Sequence, residues 1–235
     1  MTISFIIPAY NEEKYIGKCL ESIIKQGPAD AEIIVVDNNS TDLTAELVKQ
    51  FPGVILLKEE KKGTNSARQR GLSTATGELV AFIDADCLLP ADWLRQVQTE
   101  FTKTEIAGLS GVYKFYDLNS LGKKLVIAIW NYFAWLTSLL VGYAIYGGNF
   151  IAKKKLLQQA GGFDTSITFY GDDTAMGKKL RQFGKVKFSR KFFVYSSYRR
   201  LKKEGMIISG FKYLLNYFWI AIFKKPFHRV YDNIR

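Results

Sequence analysis

The chain has 235 residues, 48% of them hydrophobic, which suits one α/β domain with a small appendage and a sizeable core. Two cysteines, Cys19 and Cys87, exclude a disulfide framework and point to a reducing compartment. The net charge of +11 conceals an asymmetry: residues 1–117 hold 12 Lys and Arg against 17 Asp and Glu, whereas residues 118–235 hold 21 against 5.

Residues 3–7 read as a strand ended by Pro8, too short and lacking the basic flank of a signal peptide. Ile16, Leu20, Ile23 and Ile24 recur at helical spacing until Gly27 and Pro28 stop the helix. Residues 32–36 form a second apolar strand, followed by the turn and N-cap residues Asp37, Asn38, Asn39, Ser40, Thr41 and Asp42. A helix through Leu43, Leu47 and Val48, a strand at 54–57, a short helix over 66–73 and a strand at 79–83 continue the alternation. Repeated βα units predict a mainly parallel sheet with helices on both faces. Neither GxGxxG nor a P-loop GxxxxGKS/T motif occurs, which disfavours dinucleotide-binding and P-loop folds.

The strand at 79–83 runs into Asp84-Ala85-Asp86. Its apolar run reads as a buried parallel strand, whose C-terminal end is where open α/β sheets bind ligands. Alternate residues of an extended chain point the same way, so Asp84 and Asp86 face one spot unless the chain turns there. Two such charges repel unless a cation or hydrogen-bond donors sit between them, and a divalent cation carried by phosphates takes one or two carboxylates. The competing reading is a capping Asp and a surface Asp at a strand-to-loop turn. Against it, Tyr10-Asn11-Glu12, Asp37 and Asp84/Asp86 all fall at strand ends and should cluster at one edge of the sheet.

The basic half attracts polyanions; between Lys178 and Lys203 there are 11 basic residues and no acidic one. Aromatic and apolar interleaving favours an anionic membrane surface over nucleic acid. Residues 125–146 are 22 uncharged residues, long enough to span a bilayer. A single crossing would put Asp84/Asp86 and Asp172/Asp173 on opposite sides, so the segment reads as one or two helices in the interface. Trp130, Tyr132, Trp135, Tyr143 and Tyr146 would then lie at headgroup depth. A buried core helix is the alternative. Residues 206–223 read as a second apolar helix with Ser209, Lys212 and Asn216 on one stripe, within a basic tail at 201–235 that lies on the membrane. A homo-oligomeric contact is the other reading of that surface.

Several ordered motifs resemble the family 2 glycosyltransferases with a GT-A fold. They are Ile6-Ile7-Pro8-Ala9-Tyr10-Asn11-Glu12, Val35-Val36-Asp37-Asn38-Asn39-Ser40-Thr41-Asp42, Gly63-Thr64-Asn65-Ser66-Ala67-Arg68-Gln69-Arg70-Gly71, Asp84-Ala85-Asp86, Gly161-Gly162-Phe163-Asp164 and Tyr170-Gly171-Asp172-Asp173. The resemblance covers residues 3–200 and implies a Rossmann-like, mainly parallel central sheet flanked by helices. A nucleotide-sugar half (1–117) and an acceptor half (118–200) would be followed by C-terminal interfacial helices.

It implies transfer of a sugar from a nucleotide-diphosphate sugar donor to a hydroxyl, with inversion. Pro8, Ala9, Tyr10, Glu12 and Asp37 would hold the base and ribose, where carboxylates are strong acceptors. Arg68 would meet base or phosphates, Asp84 and Ala85 would lie near the ribose or metal, and Asp86 would bind Mg²⁺ or Mn²⁺. Asp173 matches the catalytic base, with Asp172 beside it; its alternative is a helix N-cap. Gly148, with Gly147 and Asn149, would line the acceptor side. Gln69 stands where many relatives carry Asn, and the late metal-binding His of many GT-A enzymes has no match. In its place the chain offers Arg199 and Arg200, one or the other of which would neutralise a diphosphate or lipid phosphate. No Gln-x-x-Arg-Trp motif follows, which argues against processive synthesis.

The resulting expectation is an enzyme that adds one sugar to a lipid-linked or saccharide acceptor, peripheral on the cytoplasmic face of the plasma membrane, in polysaccharide or glycolipid assembly. The alternatives are a polyprenyl-phosphate sugar synthase, a nucleotidyltransferase and a non-catalytic membrane adaptor. A nucleotidyltransferase usually needs a glycine-rich loop after the first strand, and residues 8–13 contain no glycine.

Overall fold

The structure is a computed structural model describing residues 1–27, 31–166, 172–206, 208–212 and 215. In chain order the elements are β1 (Ile3–Ala9), α1 (Ile16–Ile24), β2 (Ala31–Asp37), α2 (Thr44–Val48), β3 (Val54–Lys58), α3 (Thr64–Thr74), β4 (Leu79–Ile83) and α4 (Trp93–Phe101). There follow β5 (Ile106–Phe115), α5 (Leu121–Val141), β6 (Asn149–Lys153), α6 (Lys154–Gln159), α7 (Asp172–Leu180), β7 (Lys185–Ser196) and α8 (Arg199–Glu204).

The seven strands form one sheet in the order β3-β2-β1-β4-β6-β5-β7. β6 pairs antiparallel with both neighbours, β4 and β5, while every other pairing is parallel. The fold is thus the expected mostly parallel α/β sheet with helices on both faces. Both faces of β1 are covered: Phe5 and Ile7 join Ile16, Leu20 and Ile23 of α1, whereas Ile6 joins Ala67 and Leu72 of α3. Burying each such side chain contributes about 1.5–3 kcal/mol, which is why these strands are apolar on both faces.

Two local readings change. Pro8 does not end β1, which pairs with β2 through Ala9↔Asp37. Pairing with β4 has already stopped at Ile6↔Phe82, so Pro8 sits where one flank of the strand is open and its missing N–H is tolerated. Residues 125–146 are not one apolar unit. α5 ends at Gly142, whose φ of 87° is the left-handed cap that turns the chain back. Tyr143 and Ile145 then enter the core with Met176 and Leu180 of α7, and Tyr146 stacks on Tyr113 at 5.3 Å. Tyr143 is therefore a core residue and Tyr146 is half-buried against Val112, Ala144 and Phe188, which differs from the headgroup placement expected of them.

β7 bulges where its register against β5 shifts between Gly111 and Val112. A Cβ on Gly111 would overlap the Phe192 carbonyl, so only glycine admits the bulge. Of the expected tail helix only residues 206, 208–212 and 215 are described; Ser209 is fully buried and donates to Glu204 Oε2 at 2.8 Å, and Asn216 lies outside the described residues.

Candidate active site

The C-terminal ends of β1, β2 and β4 converge, as parallel pairing requires, and bring Glu12, Asp37, Asp84 and Asp86 to one edge. Asp37 ends β2 beside Ala9, is nearly buried, and accepts from Ser40 N–H at 3.2 Å through Oδ1. Asn38 braces the neighbouring loop by donating to the Glu59 and Lys61 carbonyls at 2.8 and 2.9 Å. Asn11 crosses from the β1 loop with a φ of 53° and accepts from Thr41 N–H at 2.8 Å. Pro8, Ala9 and Ala85 are buried and Tyr10 half-buried along this edge.

Asp84 and Asp86 do not face one spot. Cys87 N–H donates to the Asp84 carbonyl at 2.9 Å, so the chain turns at once after β4 and parts the two side chains. Asp84 Oδ1 meets Arg68 Nη2 at 3.2 Å, and Asp86 Oδ2 meets Arg199 Nη2 at 3.1 Å.

Arg68 projects from α3 and is only 4% exposed. Its second arm, Nη1, donates to Asp173 Oδ1 at 3.1 Å. The other carboxylate oxygen of Asp173 accepts from Gly147 N–H at 2.8 Å. Burial pushes the Asp173 carboxyl above its ordinary range; Arg68 and the Gly147 N–H pull it back, and the Asp84 charge pushes it up again. Its side chain remains 28% exposed. Asp172 opens α7 beside it, and its side chain lies outside the described residues, as does Gly171.

The glycines opening β6 act by absence. A Cβ on Gly147 would overlap Asp173 Oδ1 and crowd Arg68, and one on Gly148 would overlap Asp84. Gly148 N–H donates to the Tyr113 hydroxyl at 2.8 Å, and Ser110 Oγ donates to the Asn149 carbonyl at 2.9 Å. Trp93 Nε1–H donates to Asn149 Oδ1 at 3.1 Å. Tyr113, Ser110 and Trp93 are positioning residues that the sequence reading missed. The polar partner of each is at least 35 residues away in sequence.

Arg199 enters the site and Arg200 does not. Arg199 Nη2 lies 2.6 Å from both Oε1 and Oε2 of the buried Glu12. Arg200 instead pairs with Glu204 at 3.2 Å within α8, so of the two arginines it is Arg199 that meets the acidic edge. Adjacent helix positions point about 100° apart, so one cleft receives only one of them.

Among the described residues no group of three or more His, Cys, Asp or Glu side chains could hold a metal. Asp86 does offer hard carboxylate oxygens at the ligand edge. A Mg²⁺ or Mn²⁺ that arrives on a diphosphate needs only one or two carboxylates, with phosphate and water completing its shell. The residues therefore fit a cation brought by the substrate.

The chain is similar to known glycosyltransferases in sequence and in fold. The mannosyltransferase PcManGT from Pyrobaculum calidifontis, solved in complex with GDP-Man and Mn²⁺, superposes with a TM-score of 0.74 at 26% identity, over 94% of this chain and 64% of that one. Staphylococcus aureus TarS in complex with UDP-GlcNAc gives 0.66 at 21% identity, over 84% of this chain and 58% of that one, and speaks to the fold alone. Glycosyltransferase AglE of Haloferax volcanii is 34% identical over 120 residues, covering 48% of this chain and 40% of the relative. The UDP-Glc:alpha-D-GlcNAc-diphosphoundecaprenol beta-1,3-glucosyltransferase WfgD of Escherichia coli is 33% identical over 127 residues, covering 53% of this chain and 50% of the relative. The chain spans half or less of the length of these curated relatives. Residues 4–168, well over half of the chain, match the family model described as Glycosyl transferase family 2, and the chain belongs to that family.

Proposed function

We propose that the chain transfers one sugar from a nucleotide-diphosphate sugar to a hydroxyl of a lipid-borne or saccharide acceptor, with inversion, at a membrane surface. The observation that carries this reading is the Asp173 carboxylate, fixed by Arg68 and the Gly147 N–H across from Asp84 at the strand ends. A relative that binds GDP-Man and another named for glucosyl transfer to a diphosphoundecaprenol-linked sugar support donor and acceptor class respectively.

In this reading the base and ribose lie along Pro8–Glu12 and Asp37, and the diphosphate reaches Asp86 and Arg199. Asp173 takes the acceptor hydroxyl proton while that oxygen forms its bond to the anomeric carbon and the bond from that carbon to the diphosphate oxygen breaks. Its raised pKa makes it a stronger base than an ordinary carboxylate, while Arg68 favours its ionised form. Gly147 and Gly148 carry no Cβ, which leaves Asp173, Arg68 and Asp84 room to hold their positions. A Mg²⁺ or Mn²⁺ held at Asp86 would neutralise charge on the departing nucleoside diphosphate.

The membrane reading draws on α5. It is long and apolar enough to cross a bilayer, yet only 11% of its most apolar window is buried. Leu121, Leu125, Ile129, Phe133 and Leu140 are exposed along it, with Leu121 at 82% and Leu140 at 77%. Ile208 and Phe211 extend this greasy surface, and Gly210 lets their segment lie directly against Trp130. Arg190 sits 5.5 Å from the Tyr132 ring centre, placing positive charge beside the apolar face. Such a surface suits a helix lying in an anionic interface rather than crossing it.

The test supplies labelled nucleotide sugars and a lipid extract with Mn²⁺. The expected result is release of nucleoside diphosphate and movement of label into the organic phase as an O-glycoside with inverted anomeric configuration. Release of pyrophosphate, or no transfer with any donor, would contradict the reading; label on polyprenyl monophosphate would replace the acceptor.

A further inference from the structure

Arg199 is bound on one side and poised on the other. Its backbone is fixed by a chain of contacts: Asp117 accepts from Tyr198 N–H at 2.6 Å and Ser197 Oγ–H at 2.8 Å, and Ser197 Oγ accepts from Arg199 N–H at 3.3 Å. Its guanidinium lies over the Tyr15 ring at 4.3 Å, with Nη2 2.6 Å from both Glu12 oxygens and 3.1 Å from Asp86 Oδ2. Glu12 is 1% exposed and cannot exchange this partner for water without leaving a buried charge. Asp86 is 15% exposed and Arg199 27%, so the Asp86 contact is the one that opens to the cleft.

We propose that Arg199 is a resident cation that withholds Asp86 from divalent metal until a diphosphate arrives, so that metal and donor bind together. This rests on the reading above that Asp86 is the cation seat. Asp86 Oδ2 cannot serve the guanidinium and a divalent ion at once, because two cations on one oxygen repel. In the free protein, a cation arriving alone must break the Arg199 contact. A diphosphate changes the balance by offering the guanidinium fork a second anion while Glu12 keeps its hold. Asp86 is then released to the cation that travels with the phosphates. The device is a coupling free energy between two ligands, and it acts in both directions: metal tightens nucleotide and nucleotide tightens metal.

The test is Mn²⁺ affinity, read from the electron paramagnetic resonance signal of free Mn²⁺, with and without UDP or GDP. Arg199→Met should bind Mn²⁺ about tenfold more tightly than wild type in the absence of nucleotide, the equivalent of one lost charge-assisted contact. The gain in Mn²⁺ affinity on adding nucleotide should shrink in that variant. Lys202→Met removes the same charge from the exposed side of α8 and should leave Mn²⁺ affinity at the wild-type value. Equal affinity in Arg199→Met and wild type, or an equal rise in Lys202→Met, overturns the proposal. Should Arg199→Met fail to fold by circular dichroism, Arg199→Gln is read in the same way. Mn²⁺ binding that survives Asp86→Asn sinks the seat itself, whereas a seat lost in Asp86→Asn yet indifferent to Arg199 sinks only the coupling.

Discussion

Arg68 Nη1 lies 3.1 Å from Asp173 Oδ1, although 105 residues separate the two in the chain. With its other arm on Asp84, one nearly buried guanidinium joins the donor-side carboxylate to the carboxylate assigned as base. The pair sets both the position of Asp173 and the pH at which it can act.

The pH dependence follows from this pair. Burial raises the Asp173 carboxyl above its ordinary value, Arg68 opposes the rise, and Asp84 adds to it. Activity requires the charged form, so the acid limb of kcat/KM against pH should lie above that of an ordinary carboxylate. Arg68→Met should move that limb to higher pH, and Asp84→Asn should move it lower. For stability the sign is opposite to that of a salt-bridged acid with a depressed pKa. The contribution of Asp173 is present below the unfolded carboxylate value and is lost as pH rises through the higher folded value.

Substituting the β6 glycines tests the steric side of the site. Gly147→Ala and Gly148→Ala each force a methyl into Asp173 and Asp84 respectively. Displacing reacting groups by about 1 Å costs on the order of 10²-fold, so kcat/KM should fall by about that much. Gly122→Ala, in α5 with nothing within 4 Å of its added Cβ, should retain wild-type turnover.

Trp93 supports the same segment from below. It is fully buried between Phe5 at 5.7 Å and Phe192 at 5.1 Å, and its N–H is donated to Asn149. Trp93→Phe leaves that acceptor unmet and opens a void, so urea denaturation should show a loss of about 2–4 kcal/mol.

Membrane association is checked by flotation with vesicles. Binding to vesicles containing anionic lipid should weaken with salt and be lost in Leu125→Glu/Phe133→Glu, both residues being exposed on α5. Unchanged flotation of the double variant would contradict an interfacial α5.

Much of the first half was legible because its code is local. Apolar runs broken by turn residues predict β1 through β4, and carboxylates at strand ends must share an edge once the strands are parallel. The parting of Asp84 and Asp86 was not legible, since one Cys87–Asp84 backbone hydrogen bond decides it. The choice between Arg199 and Arg200 depends on how α8 docks on Asp117, a contact 81 residues long in sequence. Tyr143 reads like Tyr132 in composition; only the reversal at Gly142 sends one inward and leaves the other exposed. Tyr113, Ser110 and Trp93 carry no local signal because their partners lie 35, 39 and 56 residues away in sequence.

The most direct measurement compares wild type and Asp173→Asn for donor affinity and for the rate of nucleoside diphosphate release during transfer. The expected result is a fall in kcat of about 10²–10⁴-fold with donor Kd unchanged. Turnover at the wild-type rate in Asp173→Asn would reduce that residue to a helix N-cap and contradict its assignment as the base.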